Sequence, residues 1–391
     1  MSARFGETRR LTWKKIKAWY TKIPYSLKIA VLTALVAKLV VFAVGFASAF
    51  STAVSNGSST NPLSLLVNMF AQWDSSNYVF IAQHGYVNVG NAASFIVFLP
   101  FYPALIRLVT FNFAYANLSG LIISNVASII AVVYLFKLAK LDYSDNIAKK
   151  AVLFLCVFPT AYFMSAVYTE GLFLALVIAS LYYARNAKWQ VAGFLGFLAA
   201  LTRLEGLVVL PALIVEYLHQ KNWKFKATDF KLAWLILPAA GFLIYLWINY
   251  QVTGSFFTFL QVERVHWYET LDPLVGLDRA LGWHVGNTFP GSFTGGYALI
   301  IFAAFGYAML GLAYLLKVRP SYQVYMLLAW MLAVSTSFWI SVPRYVLSMF
   351  PMFLALALVS TKKPVTVAAL AISCAGLFFF TWLFASGAWA F

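Results

Sequence analysis

Apolar runs about twenty residues long recur along this chain. The first, Ile29 to Phe50, holds 22 residues and one charge, Lys38. A helix needs about 20 such residues to cross hydrocarbon. No water inside a bilayer can satisfy a free N–H or C=O, so spanning segments made of such runs are helical. Only 10% of the residues are charged, against about 25% in soluble domains. The chain therefore reads as an all-α polytopic membrane protein. A single membrane-embedded domain over residues 28–391 is expected, after a basic cytoplasmic segment at 1–27.

Candidate spans cover about 28–50, 118–140, 147–164, 168–186, 189–202, 206–218, 232–252, 296–316, 321–340, 343–360 and 365–386, eleven in all. Ala47-Ser48-Ala49 looks like a signal-peptidase site. The run before it exceeds a signal core of about 7–15 residues, so it is taken as a retained span. Basic residues then set the orientation. Threading the chain through these spans puts 22 lysines and arginines on one side, read as cytoplasmic, and five arginines on the other. The net charge of +16 belongs to those inner loops, which argues against a nucleic-acid partner. Segment 95–113 is apolar enough to cross, but crossing would put the later lysines outside. Pro100 and Pro103 also break it. It is assigned to the outer side as a re-entrant or interfacial element. The outer loops are then 51–117 and 253–295. Cys156 and Cys374 lie far apart in apolar spans and suggest neither a disulfide nor a thiolate metal site.

Within this frame Asp74 stands out. It is the sole formal charge between Lys38 and Arg107, and it follows Trp73 just past the first span. No cation adjoins it, so it is read as unpaired and as a catalytic base facing the membrane surface; capping of a short helix is the plain alternative. Other ionisable residues fall on or near the outer side, where such groups are functional candidates. The hairpin 187–219 has 33 residues, short of the roughly 40 that two crossings need. Its tip, Arg203-Leu204-Glu205-Gly206, should lie below the surface, where Arg203 needs an anion. That anion is either a carboxylate such as Glu205 or a lipid-linked phosphate. Arg344 sits outside against the charge trend. Lys38 either snorkels inward or meets lipid phosphate. Glu170 begins a helix, where a carboxylate suits the dipole. Trp73, His84, Gln261 and Arg264 complete the substrate-binding candidates. Glu263 beside Arg264 could simply solvate its loop, Arg107, Arg279, His266 and His284 are further outer residues, and Ser75-Ser76 after Asp74 leaves no Asp-x-Asp spacing, so no metal or cofactor is expected.

Several short segments occur together in one order: Trp73-Asp74 with Ile81-Ala82 and Gly85-Tyr86; Phe98-Leu99-Pro100-Phe101-Tyr102-Pro103; Pro159-Thr160-Ala161 with Tyr168-Thr169-Glu170; Leu201-Thr202-Arg203 with Gly206; Thr253-Gly254 with Gln261; and Pro343-Arg344-Tyr345. In these the chain resembles the PIG-V type of GPI mannosyltransferase, a branch of the integral-membrane GT-C glycosyltransferases. It departs at Asn77, where eukaryotic members usually carry His, and in its shorter length, which suggests a prokaryotic relative. The resemblance implies a GT-C-like fold with a catalytic first outer loop. It also implies inverting transfer of mannose from a polyprenyl- or dolichyl-phosphate donor to a glycolipid or glycan acceptor at the outer or lumenal face of a plasma or endoplasmic reticulum membrane. The residues suit that chemistry: Asp74 as general base, and Arg203, Arg344 and Lys38 at the donor phosphate. A polytopic transporter or flippase is the competing class. Transporters tend to place polar residues at the bilayer midplane, whereas here only Lys38 lies deep.

Overall fold

The computed structural model describes residues 21, 24–58, 61–111, 113–224, 230–285, 293–360 and 362–391. Most of the basic segment 1–27 and the side chain of His284 lie outside the described residues. Among those described there are helices and connections and no strand.

Four helices are long and apolar enough to cross a membrane: Tyr25–Ser55, Ala116–Ala139, Phe293–Leu315 and Lys363–Ala385. Two bent pairs raise that to six if each counts as one span. Asn91–Val97 and Phe101–Val109 meet at 110°, and Trp339–Ser348 and Pro351–Val359 at 70°. The expected eleven spans are thus not eleven continuous helices. Glu170–Arg185 has 16 residues and Pro320–Val334 has 15; at 1.5 Å per residue each reaches only about 24 Å, short of a hydrocarbon core of about 30 Å. Proline accounts for the breaks, because Pro100 and Pro351 stand at the bends and cannot donate to the preceding turn. Apolarity puts a segment in the membrane without making it continuous.

Glu170–Arg185 is the axis of the bundle. Nearly all of it is buried, packed between Ala116–Ala139 and Trp189–Ala200. Gly171 permits this closeness, since a β-carbon there would lie 2.7 Å from the Ser124 carbonyl oxygen. Ionic clusters mark both ends of the axis, about 22 Å apart by helical rise. At the lower end Arg185 binds Asp142 through both carboxylate oxygens, at 2.5 and 2.7 Å. The fully buried Glu216 takes Arg319 Nε and Nη2, both at 2.7 Å, and the Ser321 hydroxyl at 2.7 Å. Lys140, Asp145 and Ser26 meet at the same end. Trp389, near the chain end, packs against Trp73 at the other.

Lys38 lies partway along Tyr25–Ser55. Its ammonium bonds Asn125 Oδ1 at 2.8 Å, Ser165 Oγ at 3.1 Å and the Met164 carbonyl at 3.2 Å. Three neutral oxygens hold this cation between helices.

Candidate active site

The site begins at a strained turn. Trp73 has φ +52°, a left-handed backbone that is uncommon outside glycine and costs about 1–3 kcal/mol. The turn sets Asp74 at the head of helix Ser75–His84, and its carboxylate makes no cap hydrogen bond. Capping is therefore not its role. The Asp74 amide donates to the Tyr168 hydroxyl at 3.2 Å, fixing the backbone.

The unpaired reading of Asp74 is overturned. Arg344 Nη1 donates to Asp74 Oδ2 at 2.8 Å, from 270 positions along the chain. Among the described residues no hydrogen bond reaches Oδ1, and Asp74 lines a cavity. The Arg344 guanidinium also lies 5.4–5.7 Å from the ring centres of Tyr168, Tyr345 and Phe163. Aromatic faces attract a cation without accepting its protons, so they hold Arg344 in place.

Arg203 is buried at the hairpin tip, as the short spans require. Its partners are carboxylates. Nη1 donates to Glu170 Oε1 at 2.5 Å, and Nη2 to Glu205 Oε1 at 2.8 Å. Glu170 is fully buried, and its Oε1 also lies 3.4 Å from Arg344 Nε. One carboxylate thus sits between two guanidinium groups. Gly206 completes the tip: a β-carbon there would lie 2.3 Å from the Ala199 carbonyl.

The cavity is about 380 Å³, lined by Trp73, Asp74, Arg203, Glu205 and Arg344, with Glu263 and Glu269 on another wall. Glu263 belongs to helix Thr258–Val265 and is hydrogen-bonded to Glu269. Burial, then the neighbouring Glu269 and the charge of Asp74, push its carboxyl up to about 8. The Glu269 loop is tied down: Ser337 N donates to the Thr270 carbonyl at 2.7 Å, and Arg279 donates to the carbonyls of Tyr268 and Ser337.

The structure therefore gathers Trp73, Asp74, Arg203, Glu205 and Arg344 around one cavity, with Glu170 directly behind. It does not bring Lys38, His84, Gln261 or Arg264 to the lining. Lys38 is held by Asn125 and Ser165, so a place beside the arginines is corrected. The His84 ring lies 4.5 Å from Phe80. Gln261 and Arg264 are exposed on the helix that turns Glu263 inward. Arg107 donates to the carbonyls of Ala82 and Gln83 and closes the end of helix Ser75–His84. Sequence reasoning missed Glu269, Trp267 and Trp389 and treated Glu263 as loop solvation. A pair of acids six residues apart in an aromatic outer loop was the available signal.

A family model described as Mannosyltransferase (PIG-V) matches residues 23–260, more than half of the chain. GPI alpha-1,6-mannosyltransferase 2 of Mus musculus is 29% identical over 170 residues, covering 41% of this chain and 34% of that protein. The Rattus norvegicus protein of the same name is 28% identical over 170 residues, with the same coverage. The match spans about a third of the length of these curated relatives. Among solved structures, the Archaeoglobus fulgidus oligosaccharyltransferase, in complex with Zn and sulfate, is 14% identical with a TM-score of 0.42, over 83% of this chain and 49% of that one.

Proposed function

The chain belongs to the PIG-V mannosyltransferase family, and from that premise we propose that it transfers mannose from a polyprenyl- or dolichyl-phosphate donor to a glycolipid or glycan acceptor, with inversion. The observation that carries this reading is the Asp74–Arg344 pair in the cavity wall, with no hydrogen bond from the described residues to Asp74 Oδ1.

The acceptor hydroxyl donates to Oδ1 and attacks the sugar's anomeric carbon from the face opposite the phosphate. The new C–O bond forms as the bond to the phosphate oxygen breaks, and that oxygen keeps the electron pair. The hydroxyl proton passes to Asp74. Protonation removes the countercharge of Arg344 as the leaving phosphate gains a negative charge. Arg344 turns from one anion to the other, and the cavity's total charge is unchanged. Arg203 is held by Glu170 and Glu205, so its part is to stiffen the wall as a fixed, neutralised charge. Preorganised charge of this kind needs no reorganisation at the moment of reaction.

Purified protein in nanodiscs, given polyprenyl-phosphate mannose and a panel of glycolipid and glycan acceptors, is expected to yield a product heavier by one hexose. Absence of transfer from every polyprenyl- or dolichyl-phosphate sugar offered, with the protein folded, defeats the proposal. Two further outcomes follow from the same reading. Ser58 lies at the Asp74 end and Lys363 at the lysine-rich end, and both are exposed. An impermeant thiol reagent added outside should label a cysteine at position 58 and spare one at position 363; the reverse pattern inverts the orientation. The second outcome concerns pH. Below about 8 Glu263 keeps its proton, and above it the carboxyl becomes an anion beside Glu269, Asp74 and Glu205. Donor affinity should therefore fall as pH rises through about 8, because the donor carries a phosphate. Donor titrations between pH 6 and 9 test this, and Glu263→Gln should flatten the profile. A profile the substitution leaves unchanged removes Glu263 from the effect.

A further inference from the structure

A second cavity, about 280 Å³, lies beside the first. Thr52, Asn56, Ser58, Ser64, Asn68, Gln72 and Ser386 supply its polar lining; apolar residues and Gly387 supply the rest, and none of the described lining residues is charged. The two cavities share a wall. Gln72 faces the second, and the next two residues, Trp73 and Asp74, face the first. Across from them Gly387 lines the second and Trp389 the first. The rings of Trp73 and Trp389 meet edge to face at 4.9 Å between centres and form the partition. The left-handed backbone at Trp73 and at Gly387, φ +81°, bends both chain segments of that wall.

The lining states what the space can recognise. A phosphate or sulfate is best held by a cation, and the described lining has none. An acyl chain would cover the carboxamides and hydroxyls without satisfying them, which is unfavourable for each group it buries. A neutral molecule with many hydroxyls donates and accepts at each of these groups. Several are already oriented: Asn68 Nδ2 donates to Ser64 Oγ at 3.2 Å, and Asn68 Oδ1 accepts from Asn117 Nδ2 at 2.8 Å. The volume is just below the roughly 300–1,000 Å³ of pockets for drug-sized ligands, which suits one sugar ring. The cavity opens between the ends of Tyr25–Ser55 and Lys363–Ala385, two of the long apolar helices, where a lipid's headgroup would lie.

We propose that this second cavity is an acceptor-side subsite for a neutral sugar ring, one wall away from Asp74. The proposal rests on the glycosyl-transfer reading above. The bound ring does not carry the attacking hydroxyl; the neighbouring unit of the acceptor passes Trp389 to present its hydroxyl to Asp74 Oδ1. The sugar could belong to a membrane glycolipid or to a soluble glycan, and the same chemistry serves both.

The test uses the full chain in nanodiscs without donor. Hexyl α-mannoside and methyl α-mannoside are titrated and followed by saturation-transfer NMR. Wild-type protein should bind in a saturable way, and Asn68→Leu and Asn56→Leu should each weaken binding about fivefold or more, the value of one hydrogen bond near 1 kcal/mol. Both residues are exposed, so the fold should tolerate either change; a thermal melt of each variant checks this. Binding of the hexyl compound alone assigns the subsite to a glycolipid, and equal binding of both assigns it to a glycan. Failure of both sugars to bind, or binding indifferent to both substitutions, overturns the proposal. Donor titration of Asn68→Leu should match wild type, and in transfer assays its acceptor KM should rise at constant kcat. If Asp74→Asn turns over normally while mannoside binding still depends on Asn68, the transfer mechanism has failed and the subsite stands.

Discussion

Asp74→Asn should reduce transfer by about 10²–10⁴-fold, the usual contribution of a general base, while leaving donor affinity within a few-fold of wild type. The carboxamide has the same shape, and its oxygen still accepts from Arg344 Nη1, the bond that holds the native carboxylate at 2.8 Å. Folding should therefore survive. What is lost is the ability to take the acceptor's proton and, with it, the release of Arg344 toward the leaving phosphate. Asp74→Glu should recover little, because the backbone here is fixed by the left-handed Trp73 and the Tyr168 hydrogen bond, and an extra methylene moves the oxygen by more than a well-placed proton transfer tolerates. Transfer rate and donor binding measured on the same Asn preparation decide the matter. Near-normal turnover would remove Asp74 from the chemistry. Glu170 is no substitute, being fully buried behind both arginines. Glu263, which lines the cavity, would take its place, and the rate should then rise with pH toward about 8 as its carboxyl loses its proton.

The sequence could point to Asp74 because a lone acid in a long uncharged stretch has no ordinary electrostatic reason to be there. It could point to Arg203 because two short spans cannot lift a hairpin tip to the surface, and to Arg344 because it defies the charge asymmetry of the loops. Pairing was hidden. Nothing local links positions 74 and 344, and the choice between a carboxylate and a phosphate for Arg203 depends on Glu170, which is 33 positions away. Lys38 misled for the converse reason. A charge inside an apolar run looks functional until Asn125 and Ser165 are placed around it, and their positions follow from packing alone. Glu263 was underrated because a carboxylate in a polar loop looks solvated, and only the fold sets Glu269 against it. Helix count suffered from a similar limit. Hydropathy reports which residues avoid water, and Pro100 and Pro351 decide where the backbone turns. The 110° turn around Pro100 keeps segment 91–109 from being one straight helix.

Glu170→Leu should be the most damaging change to the fold among the site residues. The native carboxylate is fully buried, bonded to Arg203 and 3.4 Å from Arg344 Nε. Leucine fills a similar space but leaves two buried guanidinium groups with less countercharge. Removing one partner of a buried ion pair costs about 3–5 kcal/mol, a large part of a typical folding stability of 5–15 kcal/mol. Arg203 keeps Glu205 and Arg344 keeps Asp74, so the loss should fall in that range and not beyond it. The double variant Glu170→Leu with Arg203→Met should recover part of it, because the cation with the shortest bond to Glu170 is then gone as well. That recovery separates an electrostatic cause from a packing one, since a cavity or clash at position 170 would persist in the double variant. Denaturant or thermal unfolding of the three proteins in nanodiscs, at equal lipid composition, gives the comparison. A melting midpoint for Glu170→Leu equal to wild type would show that the two arginines do not need this carboxylate, and the ionic wall behind Asp74 would have to be held by its aromatic faces alone.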